Sequence, residues 1–358
     1  MQIGQCEMSR MKSEKIPRIR DTVYVVGAGF SKGLGYPLTK DLLTDVWDRL
    51  PTGSRRQLTQ IVEFHHPAFK SGKEKTFPDI EQLLTEVAVN LELFDASRPA
   101  EGRFTKDQLR ESRKILLSTI EAWFHDIYED AIETAWLSEI VRKMRHEKAA
   151  IVSFNWDLVL DQLLFGGDFD SKSYGLSKAL GKGPLLLKPH GSLNWYEGTQ
   201  LEYVTDLKRV EIFHRRNKDD CVHAFLPPRG VKSKSGKQYT PLIIPPTYFK
   251  NFKPSIFKRL WQNCTEALST PKRLVFLGYS LPASDLHAQF IFRCGFHNQL
   301  HGRIKDADSR YPKTGAAEVV IVNPDQAAAR RIEAVAGPHI PCSWVQKTIK
   351  DWVEDDER

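Results

Sequence analysis

The sequence predicts an α/β fold: a Rossmann-like parallel sheet of about six strands, carrying a helical insertion. Three observations predict it. Short apolar, β-branched runs recur along the chain and each closes on glycine or polar residues, the signature of strands buried on both faces. A long stretch of helical periodicity separates the first run from the rest. The composition, 41% hydrophobic and 27% charged over 358 residues, is that of an ordinary globular chain, large enough for one enlarged domain or two intimate ones.

Residues 1–20 are polar and basic and read as a disordered leader; with no apolar core they are not a secretory signal. The first strand is expected at Thr22 to Val26, ending on Gly27-Ala28-Gly29. Beyond Pro37, Leu42, Leu43, Val46 and Leu50 recur at helical spacing, with Thr39 as the expected N-cap. Ile80, Leu83, Leu84, Val87 and Leu91 make a second amphipathic stripe, started by Asp79 or Pro78. Leu109 to Tyr128 and Ala131 to Arg145 make two more. Residues 37–148 therefore read as a helical insertion into a sheet domain formed by 21–36 and 149–358.

Strand signals return at Ala150 to Phe154, Leu185 to Lys188, Leu274 to Leu277 and Val319 to Val322. They end in Asn155-Trp156-Asp157, His190-Gly191-Ser192, Gly278-Tyr279-Ser280 and Asn323-Pro324-Asp325. Ligands of open parallel sheets bind beyond the carboxyl ends of the strands. Five such ends aim their polar residues at one crevice. Residues 196–238 read as loops with some strand, and the basic stretch Arg229 to Lys237 as a solvated loop.

Several function classes are disfavoured. No run approaches the roughly 20 apolar residues of a membrane span, so a cytoplasmic location is expected. The five cysteines contain no Cys-x-x-Cys pair, which argues against a zinc ribbon or a disulfide framework; no metal is expected. No Walker Gly-Lys-Ser/Thr occurs. The net charge of +7 suits a nucleic acid or a phosphate-rich dinucleotide, but the basic residues are dispersed.

Gly27-Ala28-Gly29-Phe30-Ser31 sits between a strand and a helix, the context of a phosphate-binding turn. Lys32 replaces the third glycine of the full Rossmann fingerprint. Single residues also have plainer readings: His190 as a hydrogen-bonded loop residue, Asn155 as a cap for a helix near Asp157, and Asp285 as the cap of a helix from Leu286. Asp79 and Glu81 fit a helix start, and Trp156 and Trp195 fit packing anchors.

Taken in order, Val25-Val26-Gly27-Ala28-Gly29-Phe30-Ser31, Ser153-Phe154-Asn155-Trp156-Asp157, Lys188-Pro189-His190-Gly191-Ser192, Gly278-Tyr279-Ser280 and Val322-Asn323 resemble the NAD-contacting motifs of sirtuins. The likeness is closer to the divergent bacterial sirtuin-like family, which includes NAD-consuming anti-phage effectors. The resemblance implies that Gly27, Ala28, Gly29 and Ser31 line the diphosphate. Phe30 would lie over the ribose or nicotinamide. Asn155 would orient water and the nicotinamide ribose, Asp157 would hold the carboxamide, and His190 would relay a proton. Gly278 and Ser280 would flank the phosphates and adenosine ribose, with Asn323 on a ribose hydroxyl.

The four-cysteine zinc module of deacylating sirtuins is missing, since only Cys221 and Cys264 lie between His190 and Gly278. Gly35-Tyr36-Pro37-Leu38-Thr39 also replaces their Asp-Phe-Arg. Protein deacylation is disfavoured, and water becomes the simplest nucleophile. The resemblance thus implies an NAD glycohydrolase, restrained by homo-oligomer assembly or by a separately encoded HerA-type ATPase or Argonaute-like protein. An NAD- or ADP-ribose-sensing module and a nucleic-acid-acting subunit are the competing readings.

Overall fold

A computed structural model describes residues 19–70, 76–93, 104–166, 168–177, 181–197, 208–214, 221–226, 241–244, 255–305, 309 and 311–356. The expected leader (1–20) and basic loop (229–237) fall almost wholly or wholly outside these residues.

Six strands form one parallel sheet: β1 (Thr22–Val26), β2 (Ala150–Ser153), β3 (Leu185–Leu187), β7 (Arg273–Leu277), β8 (Glu318–Val322) and β9 (Cys342–Val345), in the order β3-β2-β1-β7-β8-β9. Between β3 and β7 lie β4 (Trp195–Glu197), β5 (Lys208–His214) and β6 (Cys221–Leu226), a separate antiparallel sheet in the order β4-β6-β5. In the parallel sheet, β1 pairs in register with β2 on one side and β7 on the other. Val23, Tyr24, Val25 and Val26 are fully buried, as a central strand covered on both faces requires. β9 is the strand the apolar pattern did not mark. It is an edge strand, and Cys342, Trp344 and Val345 are only partly covered.

Between β1 and β2, the described residues hold helices joined by turns, with isolated bridges and no strand. The helices are α1 (Ala28–Lys32), α2 (Leu42–Trp47), α3 (Thr52–His65), α4 (Ile80–Leu93), α5 (Lys106–Ile132) and α6 (Ala135–His146). Later come α7 (Val159–Phe165), α8 (Ser255–Ser269), α9 (Leu286–His301), α10 (Gln326–Ala336) and α11 (Ile349–Asp356). Thr39 opens a short 3-10 turn rather than capping α2, and its side chain makes no capping bond. Asp79 does serve the start of α4, accepting from the Glu81 amide at 2.7 Å. No helix among the described residues is long and apolar enough to cross a membrane.

The strand order has one consequence for function. Connections leave β1 for β2 and β3 on one side, and the chain later returns to β7, β8 and β9 on the other. Numbered within the sheet, this is the 3-2-1-4-5-6 order of dinucleotide-binding folds, and its switch point lies between β1 and β7.

Candidate functional site

At that switch point lies an open crevice. The β1 end contributes Gly27, Ala28 and Ser31, and the β2 end Phe154, Asn155, Trp156 and Asp157. His190 enters beyond β3; Tyr279, Ser280, Pro282 and Asp285 follow β7. The helical layer closes the mouth with Tyr36, Pro37, Thr39, Leu42, Glu81 and Phe124.

The glycines first serve backbone packing. Gly27 N–H donates to the Leu277 carbonyl at 3.2 Å, and Gly29 N–H to the Gly278 carbonyl at 2.9 Å. A Cβ on Gly27 would meet Tyr279 Cα at 2.6 Å, and one on Gly29 would meet Gly278 O at 2.7 Å. Gly278 has φ +59°, and a side chain there would strike the Phe30 amide at 2.3 Å. The turns after β1 and β7 are therefore locked together at the switch point, and neither glycine N–H points to a ligand. Phe30 is 1% exposed and packs edge-on against Trp136 at 5.6 Å. The structure thus places its ring in the core.

Asn155 is held by two bonds from its amide nitrogen, to the Gly27 carbonyl at 3.0 Å and to Ser31 Oγ at 2.8 Å. The Gly27 carbonyl can only accept, which fixes the orientation of the amide. Both amide protons are used, so the group Asn155 still offers is an acceptor oxygen. It does not cap α7, whose first amide is bonded instead by Asp157 Oδ1 at 3.3 Å. Ser31 Oγ donates onward to Asp157 Oδ2 at 2.7 Å. Burial raises the Asp157 carboxyl above its ordinary range, opposed by the Lys188 ammonium and the Ser31 hydroxyl.

Lys188 lies behind this chain and is 1% exposed. Its ammonium donates to the Asp157 carbonyl at 2.7 Å, Asp161 Oδ2 at 2.8 Å and Ser192 Oγ at 2.7 Å. Asp161 also accepts from the Tyr174 hydroxyl at 2.6 Å. One buried cation thereby ties the loop carrying His190 to the loop carrying Asn155.

His190 is largely buried, edge-on to Phe154 at 5.1 Å, and its Nε2 stands 3.4 Å from Asp285 Oδ2. Asp285 caps α9, accepting from Ala288 N–H at 3.2 Å. Its cap role was legible in the sequence; its place beside His190 was not. Glu81, read as a helix-start residue, also lines the crevice and accepts from the Ser284 hydroxyl. Asn323 sits just outside. Its amide donates to the Tyr279 carbonyl at 3.3 Å and its oxygen accepts from Asp325 N–H at 2.9 Å, so it holds the turn after β8. Trp156 and Trp195 are buried, as packing anchors should be.

A second cavity adjoins the crevice, sharing Tyr36, Phe124 and Asp157 with it. Sequence reasoning missed it because α5 supplies one wall. Glu121 is 8% exposed, and burial pushes its carboxyl up to about 7 against the pull of the Tyr196 hydroxyl. Asn194 is 1% exposed. Among the described residues, Glu121 Oε2 and His125 Nδ1 meet no hydrogen-bond partner, while Asn194 reaches the Tyr174 hydroxyl.

No family model matches the chain, and no curated protein does either. Solved structures give distant likenesses. A Sir2 homologue in complex with NAD is 11% identical with a TM-score of 0.41, covering 93% of this chain and 86% of that one. A mutant Sir2 homologue in complex with ADP-ribose is 11% identical with a TM-score of 0.40, covering 93% and 89%. Likenesses this distant leave function to be read from the chain's own geometry.

Proposed function

We propose that this chain binds NAD across the β1–β7 switch point and hydrolyses its nicotinamide–ribose bond, giving nicotinamide and ADP-ribose. The observation that carries this reading is the convergence of Asn155 and His190, from two different strand ends, on one crevice at a dinucleotide-type switch point. Cleavage passes through an oxocarbenium-like state, as in glycoside hydrolysis. The carbon–nitrogen bond breaks with its electron pair going to the pyridinium ring, so nicotinamide leaves neutral and needs no acid. Water forms the new carbon–oxygen bond and loses a proton.

The residues suit those tasks. Asn155 offers an acceptor oxygen that orients water or a ribose hydroxyl. His190, held beside Asp285, is the group suited to take the proton released. Asp157 lies where the crevice meets the second cavity and would hold the carboxamide, with Asn194 and Glu121 beyond it. Ala28, Ser31 and Ser280 would line the diphosphate, with Gly27, Gly29 and Gly278 allowing the close approach of the turns beneath it.

An enzyme that destroys NAD must be silent until triggered. We therefore extend the proposal to an anti-phage effector that depletes NAD on infection, restrained by self-assembly or by a HerA-type ATPase or Argonaute-like partner.

The test is nicotinamide release from NAD by the purified chain, alone and with such a partner, followed by chromatography. Asn155→Ala and His190→Ala should each lower release at least about 100-fold, the usual scale of an acid–base contribution. NAD that binds but stays intact in every condition would favour a sensor. Release indifferent to both substitutions would overturn the assignment of the site.

A further inference from the structure

Away from the crevice, strand pairing assembles metal-ligand side chains that no single stretch of sequence contains. Strands β5 and β6 run antiparallel, with Glu211 opposite His223 and His214 opposite Cys221. Cys221 and His223 are two apart on a strand and share a face. Glu211 and His214 are three apart and would face opposite ways on a regular strand. The register shifts between Glu211 and Phe213, and such a bulge inserts one residue and restores the common face. Accordingly His214 Nδ1 lies 3.6 Å from Glu211 Oε1.

The ligand atoms of Glu211, Cys221 and His223 lie within 4.8 Å of one another. Cys221 and His223 are 2% and 4% exposed, and Cys221 is not in a disulfide. We propose that this ribbon is a zinc-class metal site, with Cys221, His223 and Glu211 as ligands and water completing the coordination. Two donors on one tetrahedral zinc, with bonds of about 2.1 and 2.3 Å, stand about 3.6 Å apart. The Cys221 Sγ to His223 Nε2 distance is 3.6 Å. The thiolate and carboxylate balance a divalent ion.

One group opposes binding. Arg209 lies 2.8 Å from His223 Nε2, in the path of a metal bond, and has to swing aside. The site's place in the fold gives it a structural task. His223 pairs with Tyr196 of β4, five residues beyond the end of the His190-Gly191 turn, so a bound ion would brace the ribbon that backs the His190 loop.

The experiment uses the full chain, stripped with a chelator and titrated with Co²⁺ as the probe. One equivalent should give the d–d bands of a tetrahedral ion and a thiolate charge-transfer band, both erased by Zn²⁺. Cys221→Ser should lose the charge-transfer band. Glu211→Gln changes a half-exposed side chain and so keeps the fold testable; it should weaken Co²⁺ binding at least tenfold. Removing Arg209, as Arg209→Ala, should strengthen it. Absence of the charge-transfer band, its persistence in Cys221→Ser, or equal affinity in Glu211→Gln would overturn the proposal. None of these readings depends on NAD, so the metal site stands or falls apart from the proposed activity.

Discussion

Two groups of buried polar side chains meet at Asp157, and they are finished differently. On the strand-end side, Lys188 gives three bonds between 2.7 and 2.8 Å, and Asp161, Ser31 and Asn155 complete a chain reaching the Gly27 carbonyl. On the helical side, Glu121 and His125 keep polar atoms without a hydrogen-bond partner among the described residues. Buried polar groups are almost always paired, and an unpaired one costs about 1–3 kcal/mol. A satisfied network fixes geometry before a ligand arrives. An unsatisfied one holds hydrogen-bonding capacity that a ligand or water can take up. The first side looks built to position Asn155 and His190, and the second to receive.

The largest effect should come from breaking the satisfied side. Lys188→Met leaves Asp161 buried and uncompensated, and one-sided removal of a buried ion pair costs about 3–5 kcal/mol. Denaturant unfolding should show that loss. Replacing both partners, as Lys188→Met with Asp161→Leu, should recover much of the stability, because both burial costs vanish together. Nicotinamide release should stay low in the double variant, since the bond between the two loops is still missing. Full recovery of activity there would mean that the cation serves stability alone.

The same contrast explains what could be read from the sequence. Strands covered on both faces announce themselves as apolar β-branched runs, so five of the six strands of the parallel sheet were legible, and their ends carried Asn155 and His190. The edge strand β9, half-covered, has no such run. Asp285 was legible as a cap because capping is local; its approach to His190 spans 95 positions and depends on the sheet order. The expectation that Phe30 faces a ligand comes from the motif likeness alone, and five residues of helix do not reveal which side is buried. Glu121 and the Glu211–Cys221–His223 set were hidden for one shared reason. Tertiary packing or a bulged register brings them together, and neither leaves a spacing in the chain.

A smaller and pH-dependent effect belongs to Glu121. Its folded value of about 7 lies above its ordinary 4.5. The protonated form is the one the fold favours, so this contribution is fully present below about pH 4.5. It is lost as pH rises through 7. The shift corresponds to about 3 kcal/mol at 1.36 kcal/mol per unit. Glutamine cannot ionise and keeps the acceptor for Tyr196. Glu121→Gln should therefore gain stability over the parent between pH 5 and 8, approaching that figure, in unfolding curves at several pH values. A difference that stays flat with pH would show that Glu121 is not held as a buried acid.

The smallest effect on stability, and the sharpest on the comparison, is expected at Asn194. Asn194 is buried within hydrogen-bonding reach of the Tyr174 hydroxyl, so Asn194→Leu should cost about 1 kcal/mol of unfolding free energy, one hydrogen bond's worth. If the cavity beyond Asp157 receives the nicotinamide carboxamide, the same substitution removes a hydrogen bond made only in the complex. About 1.4 kcal/mol, one such bond, is a tenfold loss in affinity. Calorimetric titration with NAD should show that loss in Asn194→Leu at this small cost in stability, whereas Lys188→Met loses both. Affinity preserved with stability reduced would reverse the assignment, making Asn194 part of the scaffold and returning the receiving role to the strand-end loops.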